Sequence, residues 1–127
     1  RDEQLAGDLE RLPGQLAQRF HSSSVPALDL SPLGYEFQQI GRCTIPGNDA
    51  VHLVYTADPK SGRDDHVSLW IIEDKGQVAI EPGVIYTAGS LSDHPVMVWR
   101  KGGMVYYLTG DQPKQTEAAA RMMAREI

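Results

Sequence analysis

A chain of 127 residues, 41% apolar and 23% charged, has the composition of one globular domain with room for a single core. Its formal net charge is −5 and it carries no run of Lys or Arg, which excludes binding driven by phosphate neutralisation and a polybasic membrane patch. No apolar run approaches the roughly 20 residues of a membrane span, and no signal peptide is visible.

The chain begins at Arg1, which suggests a partial or processed form, so the lack of a signal or span leaves the location of the full-length protein open. Cys43 is the single cysteine, so no intrachain disulfide forms and the redox compartment stays open.

From Arg1 to Phe20, apolar residues fall at Leu5, Leu9, Leu12, Leu16 and Phe20, the spacing of one helical face. Pro13 divides this N-terminal segment (1–20) into two short helices, the second starting near Leu12 with the proline in its first turn. It reads as a helix packed on a sheet, or as a stalk continuing from an upstream membrane segment. Residues 21–34, rich in Ser and Pro, read as a connector laid over the surface.

Strand-like runs follow at Tyr35–Ile40, Ala50–Thr56, His66–Ile72, Gln77–Ile80, Val84–Thr87, Val96–Arg100 and Met104–Leu108. Pro46-Gly47-Asn48-Asp49, Asp58-Pro59-Lys60-Ser61-Gly62 and Pro82-Gly83 break them, and Lys101-Gly102-Gly103 marks a tight hairpin. Such short spacings leave no room for helical crossovers, so residues 35–110 read as an antiparallel sheet.

Alternation places Val51, Leu53 and Tyr55 on one face with Val67, Leu69 and Ile71, and continues it through Val96, Val98, Val105 and Tyr107. The opposite face then holds His52, Ser68, Trp70, Met97, Trp99, Tyr106 and Leu108 and needs a helix or a partner over its aromatic part. The last segment, 111–127, opens on Asp111-Gln112-Pro113, a capping signal, and continues from Thr116 with an Ala-Met stripe. That stripe is read as a face packed on the sheet, with a homodimer or partner helix as the alternative. The fold class expected is α+β: an antiparallel sheet of about five to seven strands with N-terminal and C-terminal helices packed on it.

Chemistry is sparse. Cys43, His52 and His66 on neighbouring strands are the first candidates for a metal, since zinc and copper favour sulfur and imidazole, but close-set ligand pairs are absent. His94 beside Asp93 would need Ser90 or Ser92 as a nucleophile, and no G-x-S-x-G elbow exists. Asp58, Asp64, Asp65, Glu73 and Asp74 surround turns without the spacing of a calcium loop, and Gly102-Gly103 is no phosphate loop. Catalytic residues and cofactors are therefore expected to be none. Trp70, Trp99, Tyr106 and Tyr107 are the candidates for binding a partner, because aromatic side chains dominate interfaces as they do cores.

Asp29-Leu30-Ser31-Pro32-Leu33-Gly34-Tyr35-Glu36-Phe37, then Gly41-Arg42 and Pro46-Gly47, resemble the opening of an extracytoplasmic domain C-terminal to the membrane span of proteobacterial transmembrane anti-sigma factors. Ala50–Tyr55 and Val67–Ile71 resemble its next strands, and Trp99-Arg100-Lys101-Gly102-Gly103-Met104-Val105-Tyr106-Tyr107-Leu108-Thr109-Gly110-Asp111 its closing hairpin. The likeness spans Asp29 to Asp111, and the order of the motifs carries it better than any one of them. The zinc-binding cytoplasmic anti-sigma segment of that family is not part of this sequence, so this chain alone is not expected to hold a sigma factor. What the resemblance implies is a membrane-anchored sensor or regulatory domain on the periplasmic side of the inner membrane. It would bind a protein or small-molecule signal, and the resemblance carries over no catalytic residue. A soluble periplasmic module for a small ligand or metal is the alternative.

Overall fold

The computed structural model describes residues 3–5, 29–45, 48–91 and 94–125. Among these residues seven antiparallel strands form one sheet: β1 (Glu3–Leu5), β2 (Tyr35–Ile45), β3 (Asn48–Ala57), β4 (His66–Glu73), β5 (Tyr86–Leu91), β6 (His94–Lys101) and β7 (Met104–Gly110). Six are long and β1 has only three residues. Their order across the sheet is β1-β2-β3-β4-β7-β6-β5. An α-helix, α1 (Pro113–Arg125), follows them. The antiparallel sheet and its C-terminal helix therefore match the sequence reading.

The β6–β7 hairpin forms where the two-glycine break predicted it. Lys101 pairs with Met104, and Gly102 and Gly103 take φ of 61° and 83°. Two consecutive positive φ values match the right-handed twist of the flanking strands, and only glycine reaches them without steric cost.

Three expectations need correction. Glu3–Leu5 is not the start of a helix: it pairs antiparallel with β2, Leu5 opposite Ile40, which gives its backbone groups partners along the sheet edge. The rest of the helical reading over 6–20, and the connector from 21 to 28, lie outside the described residues. Gln77–Ile80 is not a strand. The chain must travel from β4 past β7 and β6 to reach the outer strand β5, and residues 74–85 make that crossing as an irregular strap. The run expected at Val84–Thr87 begins as β5 only at Tyr86.

The third correction concerns phase. Ile71 pairs with Tyr106, and Tyr106 with Trp99, so these side chains share the face of Val51. Met97, Trp99, Tyr106 and Leu108 thus join Leu53, Tyr55, Leu69 and Ile71 in the main core, all buried, with Ala119, Ala120 and Met123 of α1 over them. Val96, Val98, Val105 and Tyr107 take the opposite face. The slip arises because alternation within one strand says nothing of its phase relative to a neighbour; pairing register decides that.

The packing of α1 follows from its sequence. Thr116, Ala119, Ala120 and Met123 are buried at helical spacing, and the two alanines let the helix axis come close to β6 and β7. Gly110 accommodates the same approach: a Cβ there would stand 2.7 Å from Thr116 Oγ1 and 2.9 Å from the His66 carbonyl oxygen. At the far end, Lys101 Nζ donates to the Ala124 carbonyl at 2.6 Å, satisfying one of the acceptors that a helix C-terminus leaves over.

Candidate functional site

The sheet face opposite α1 carries the remaining side chains of interest, arranged in cross-strand rows. At one end Ala50, Ile72 and Val105 stand side by side, with Arg100 completing the row on β6. Next come His52, Trp70, Tyr107 and Val98, then Val54, Ser68, Thr109 and Val96. The same registers, carried one pair beyond β4 and β6, align His66 and His94 on either side of Asp111. The face thus runs from apolar, through aromatic, to polar and ionisable.

The apolar end is covered. Ala50, Ile72, Val98 and Val105 are buried in a second, smaller core under Val78 and Ile80 of the strap, with Val96 and Tyr107 packed at its rim. Arg100 fastens the strap. Its Nε donates to Asp74 Oδ2 at 2.8 Å, its Nη1 donates to the Ile80 carbonyl at 2.8 Å, and its own carbonyl accepts from Gly83 N–H at 3.3 Å. Asp74 Oδ1 also accepts Gly76 N–H at 3.0 Å. That backbone hydrogen bond first, and the Arg100 guanidinium after it, hold the Asp74 carboxyl below its ordinary value against partial desolvation.

The aromatic row has no helix over it among the described residues. His52 and Trp70 stack with ring centroids 4.3 Å apart and planes 8° from parallel, and Trp70 stands opposite Tyr107; all three are half-buried. Burial raises the Tyr107 phenol above its ordinary value, so it is a hydrogen-bonding hydroxyl at neutral pH. Beside Trp70 opens a groove of about 230 Å³ lined by His66, Ser68, Trp70, His94, Thr109 and Asp111. There Asp111 Oδ2 accepts the His66 backbone N–H at 2.8 Å and lies 3.5 Å from His66 Nδ1. Both side chains of that pair are about half exposed, where an ion pair contributes little.

Of the four partner-binding aromatics, then, the structure leaves Trp70 and Tyr107 at the open face. Trp99 and Tyr106, stacked at 5.1 Å and each 1% exposed, are core residues beneath α1 and not partner contacts. The metal candidates are not brought together. His52 is four residues from the His66 position along the sheet, about 13 Å at strand rise. Cys43 stands on β2 opposite Ala50, and its side chain lies outside the described residues. No cluster of three metal-ligating side chains exists among the described residues. His94 lines the groove with His66 instead, while Ser92 and Asp93 lie outside the described residues.

The residues that carry the family resemblance have structural tasks. Asp29 Oδ1 accepts Ser31 N–H at 2.9 Å and opens a 3-10 turn, Ser31–Leu33, that Gly34 closes. The next residue, Tyr35, is buried and donates its hydroxyl to Asp65 Oδ2. Arg63 stands 5.0 Å over the Tyr35 ring and 3.3 Å from Asp65 Oδ1, tying this turn to the β3–β4 loop. Burial, then the Asp65 hydrogen bond, keep the Tyr35 phenol neutral far above its ordinary range. Asp58-Pro59-Lys60-Ser61-Gly62 repeats the device, with Asp58 Oδ1 accepting Lys60 N–H at 2.9 Å.

Sequence reasoning missed Arg100 and the strap. The signal was present in Arg100 itself, a guanidinium directly after the apolar run Val96–Trp99, but its partners are 20 and 26 residues away. Among the described residues no helix is long and apolar enough to cross a membrane. Comparison of the chain with known protein families, with curated proteins and with solved structures finds no match.

Proposed function

We propose that this chain is the periplasmic sensor or regulatory domain of a membrane-anchored, anti-sigma-factor-like transcriptional regulator, and that it works by binding rather than by catalysis. The single observation carrying the binding part is the half-buried His52–Trp70–Tyr107 row, an aromatic surface on a rigid sheet. Aromatic side chains offer large contact area at small entropic cost, which suits them to partner recognition. The ordered resemblance from Asp29 to Asp111 supports the regulatory part, and its residues cap, turn and pack the fold without supplying reactive groups.

The proposed arrangement includes an N-terminal helix on the sheet. Val51 and Leu53 are buried on β3, at the far side of the α1-bearing face from β6 and β7. A segment with the helical spacing of Leu9, Leu12, Leu16 and Phe20 suits that position and leads back towards the membrane. Partner binding at the open face would then change the stability of a domain whose first segment continues into the anchor, and so alter what the cytoplasmic part holds.

The coding sequence upstream of Arg1 tests this reading. A single apolar span of about 20 residues with a short cytoplasmic segment before it is expected. A cleavable signal peptide in its place would overturn the anchor. It would favour the soluble module instead, for which the groove between His66 and His94 is the specific observation. Zinc or copper titration of the domain and of its His66→Ala and His94→Ala variants then follows.

A further inference from the structure

We infer that residues 74–85 are a displaceable strap, held by Arg100, that occupies in cis the place of a partner segment with branched apolar side chains at alternate positions. This deepens the reading of the open face as a partner surface and names the partner's chemistry.

Three observations carry it. First, Val78 and Ile80 are half-buried against the sheet while Ala79 between them is exposed, so two branched apolar anchors flank an outward-facing residue. What they cover is an apolar patch of Ala50, Ile72, Val98 and Val105, continuous through Tyr107 with the open Trp70. Removing the strap would therefore lengthen the aromatic surface into one apolar strip, the kind that marks an interface.

Second, the strap has no regular secondary structure, and its fastening converges on one residue. Arg100 holds Asp74 and Ile80 through its guanidinium and Gly83 through its carbonyl. The other tethers are Asp74 N–H to the Gly103 carbonyl at 3.0 Å, Gln77 Nε2 to the Glu73 carbonyl at 2.8 Å, Glu81 N–H to the Tyr86 hydroxyl at 3.2 Å, and the packing of Ile85 against the main core. Segments with few buried contacts and few ladder hydrogen bonds open at small free-energy cost while the rest stays folded.

Third, Glu81, Pro82, Gly83 and Val84 are all exposed, and Val84, at 43%, is the one large hydrophobic side chain exposed among the described residues. From Glu81 to Val84 the strap therefore stays at the surface, held to the sheet through the Gly83 N–H, before Ile85 packs against the main core at its end.

A strap tethered in cis competes at a high effective concentration, so a free segment binds the closed domain weakly. The probe is a synthetic peptide of residues 76–85, Gly-Gln-Val-Ala-Ile-Glu-Pro-Gly-Val-Ile, with a scrambled peptide as control. Two variants open the strap: Arg100→Gln removes the guanidinium clasp, and Val78→Ser/Ile80→Ser removes the anchors without touching the sheet. At least tenfold tighter peptide binding by the variants than by the wild-type chain is expected, with the scrambled peptide not bound. In Arg100→Gln, amide exchange of residues 74–85 should rise at least tenfold while that of β4 and β7 is unchanged. Equal binding by wild type and the double variant, or equal binding of the scrambled peptide, would overturn the proposal. Should Arg100→Gln unfold, seen as loss of the near-ultraviolet signal of buried Trp99, the double variant still decides. Neither experiment involves a membrane, so their failure would leave the anchored-regulator reading to the upstream sequence, and the converse also holds.

Discussion

The two faces of this sheet are built from strands of the same apolar character and are closed by different means. On one, α1 lays a regular stripe of Ala119, Ala120 and Met123 over Trp99, Tyr106 and Leu108, all of them buried. On the other, an irregular strap covers the end row and Val98 of the next, and His52, Trp70 and Tyr107 stay half-exposed. A helix satisfies its own backbone and brings a continuous apolar stripe, so it seals what it covers. The strap brings two apolar side chains, Val78 and Ile80, to this face and is fastened there chiefly by one arginine. Stability should therefore reside mainly in the first face and adaptability in the second.

The largest test of that contrast is Trp99→Ala, which empties a fully buried site against Tyr106 and is expected to cost about 3–5 kcal/mol in urea unfolding. Gly110→Ala attacks the seal by overpacking. The added methyl meets Thr116 Oγ1 and the His66 carbonyl, so α1 must lift, at about 1–3 kcal/mol by the same measurement. Trp70→Ala on the open face loses the stack on His52 and some half-buried area, and should cost only about 1–2 kcal/mol. A Trp70 cost equal to that of Trp99 would collapse the distinction between the faces.

The smallest effect sharpens the picture of the clasp. Asp74→Asn is expected to cost about 1 kcal/mol at neutral pH, the scale of a hydrogen bond partly open to solvent. Because the folded carboxyl is held below its ordinary 3.8, its contribution is complete above that value and is lost as pH falls through the depressed one. The gap between wild type and variant, measured by urea unfolding at stepped pH, should therefore be constant from neutral down to about pH 4 and close below it. A gap that closed between pH 7 and 5 would place the titrating group elsewhere.

Local chemistry alone settled much of this molecule. Gly102-Gly103 needs no distant partner to form a hairpin, since both residues reach positive φ freely; Pro113 and the Ala-Met stripe likewise specify a helix within their own segment. The alternation of β3 and β4, strands adjacent in both sequence and sheet, was read in phase for the same reason.

What depended on pairing across long separations was decided only by tertiary structure. β4 pairs with β7 rather than with β5, which sends residues 74–85 across the sheet as a strap and turns a strand-like run, Gln77–Ile80, into a cover. The same pairing sets the phase that buries Trp99 and Tyr106 and leaves Trp70 and Tyr107 at the open face. With the β6–β7 register it also aligns His66 and His94 beside Asp111, while the β3–β4 register separates His66 from His52. A period of two records that side chains alternate; it carries no information on which neighbour a strand chooses or in which register, and in this protein that choice makes the site.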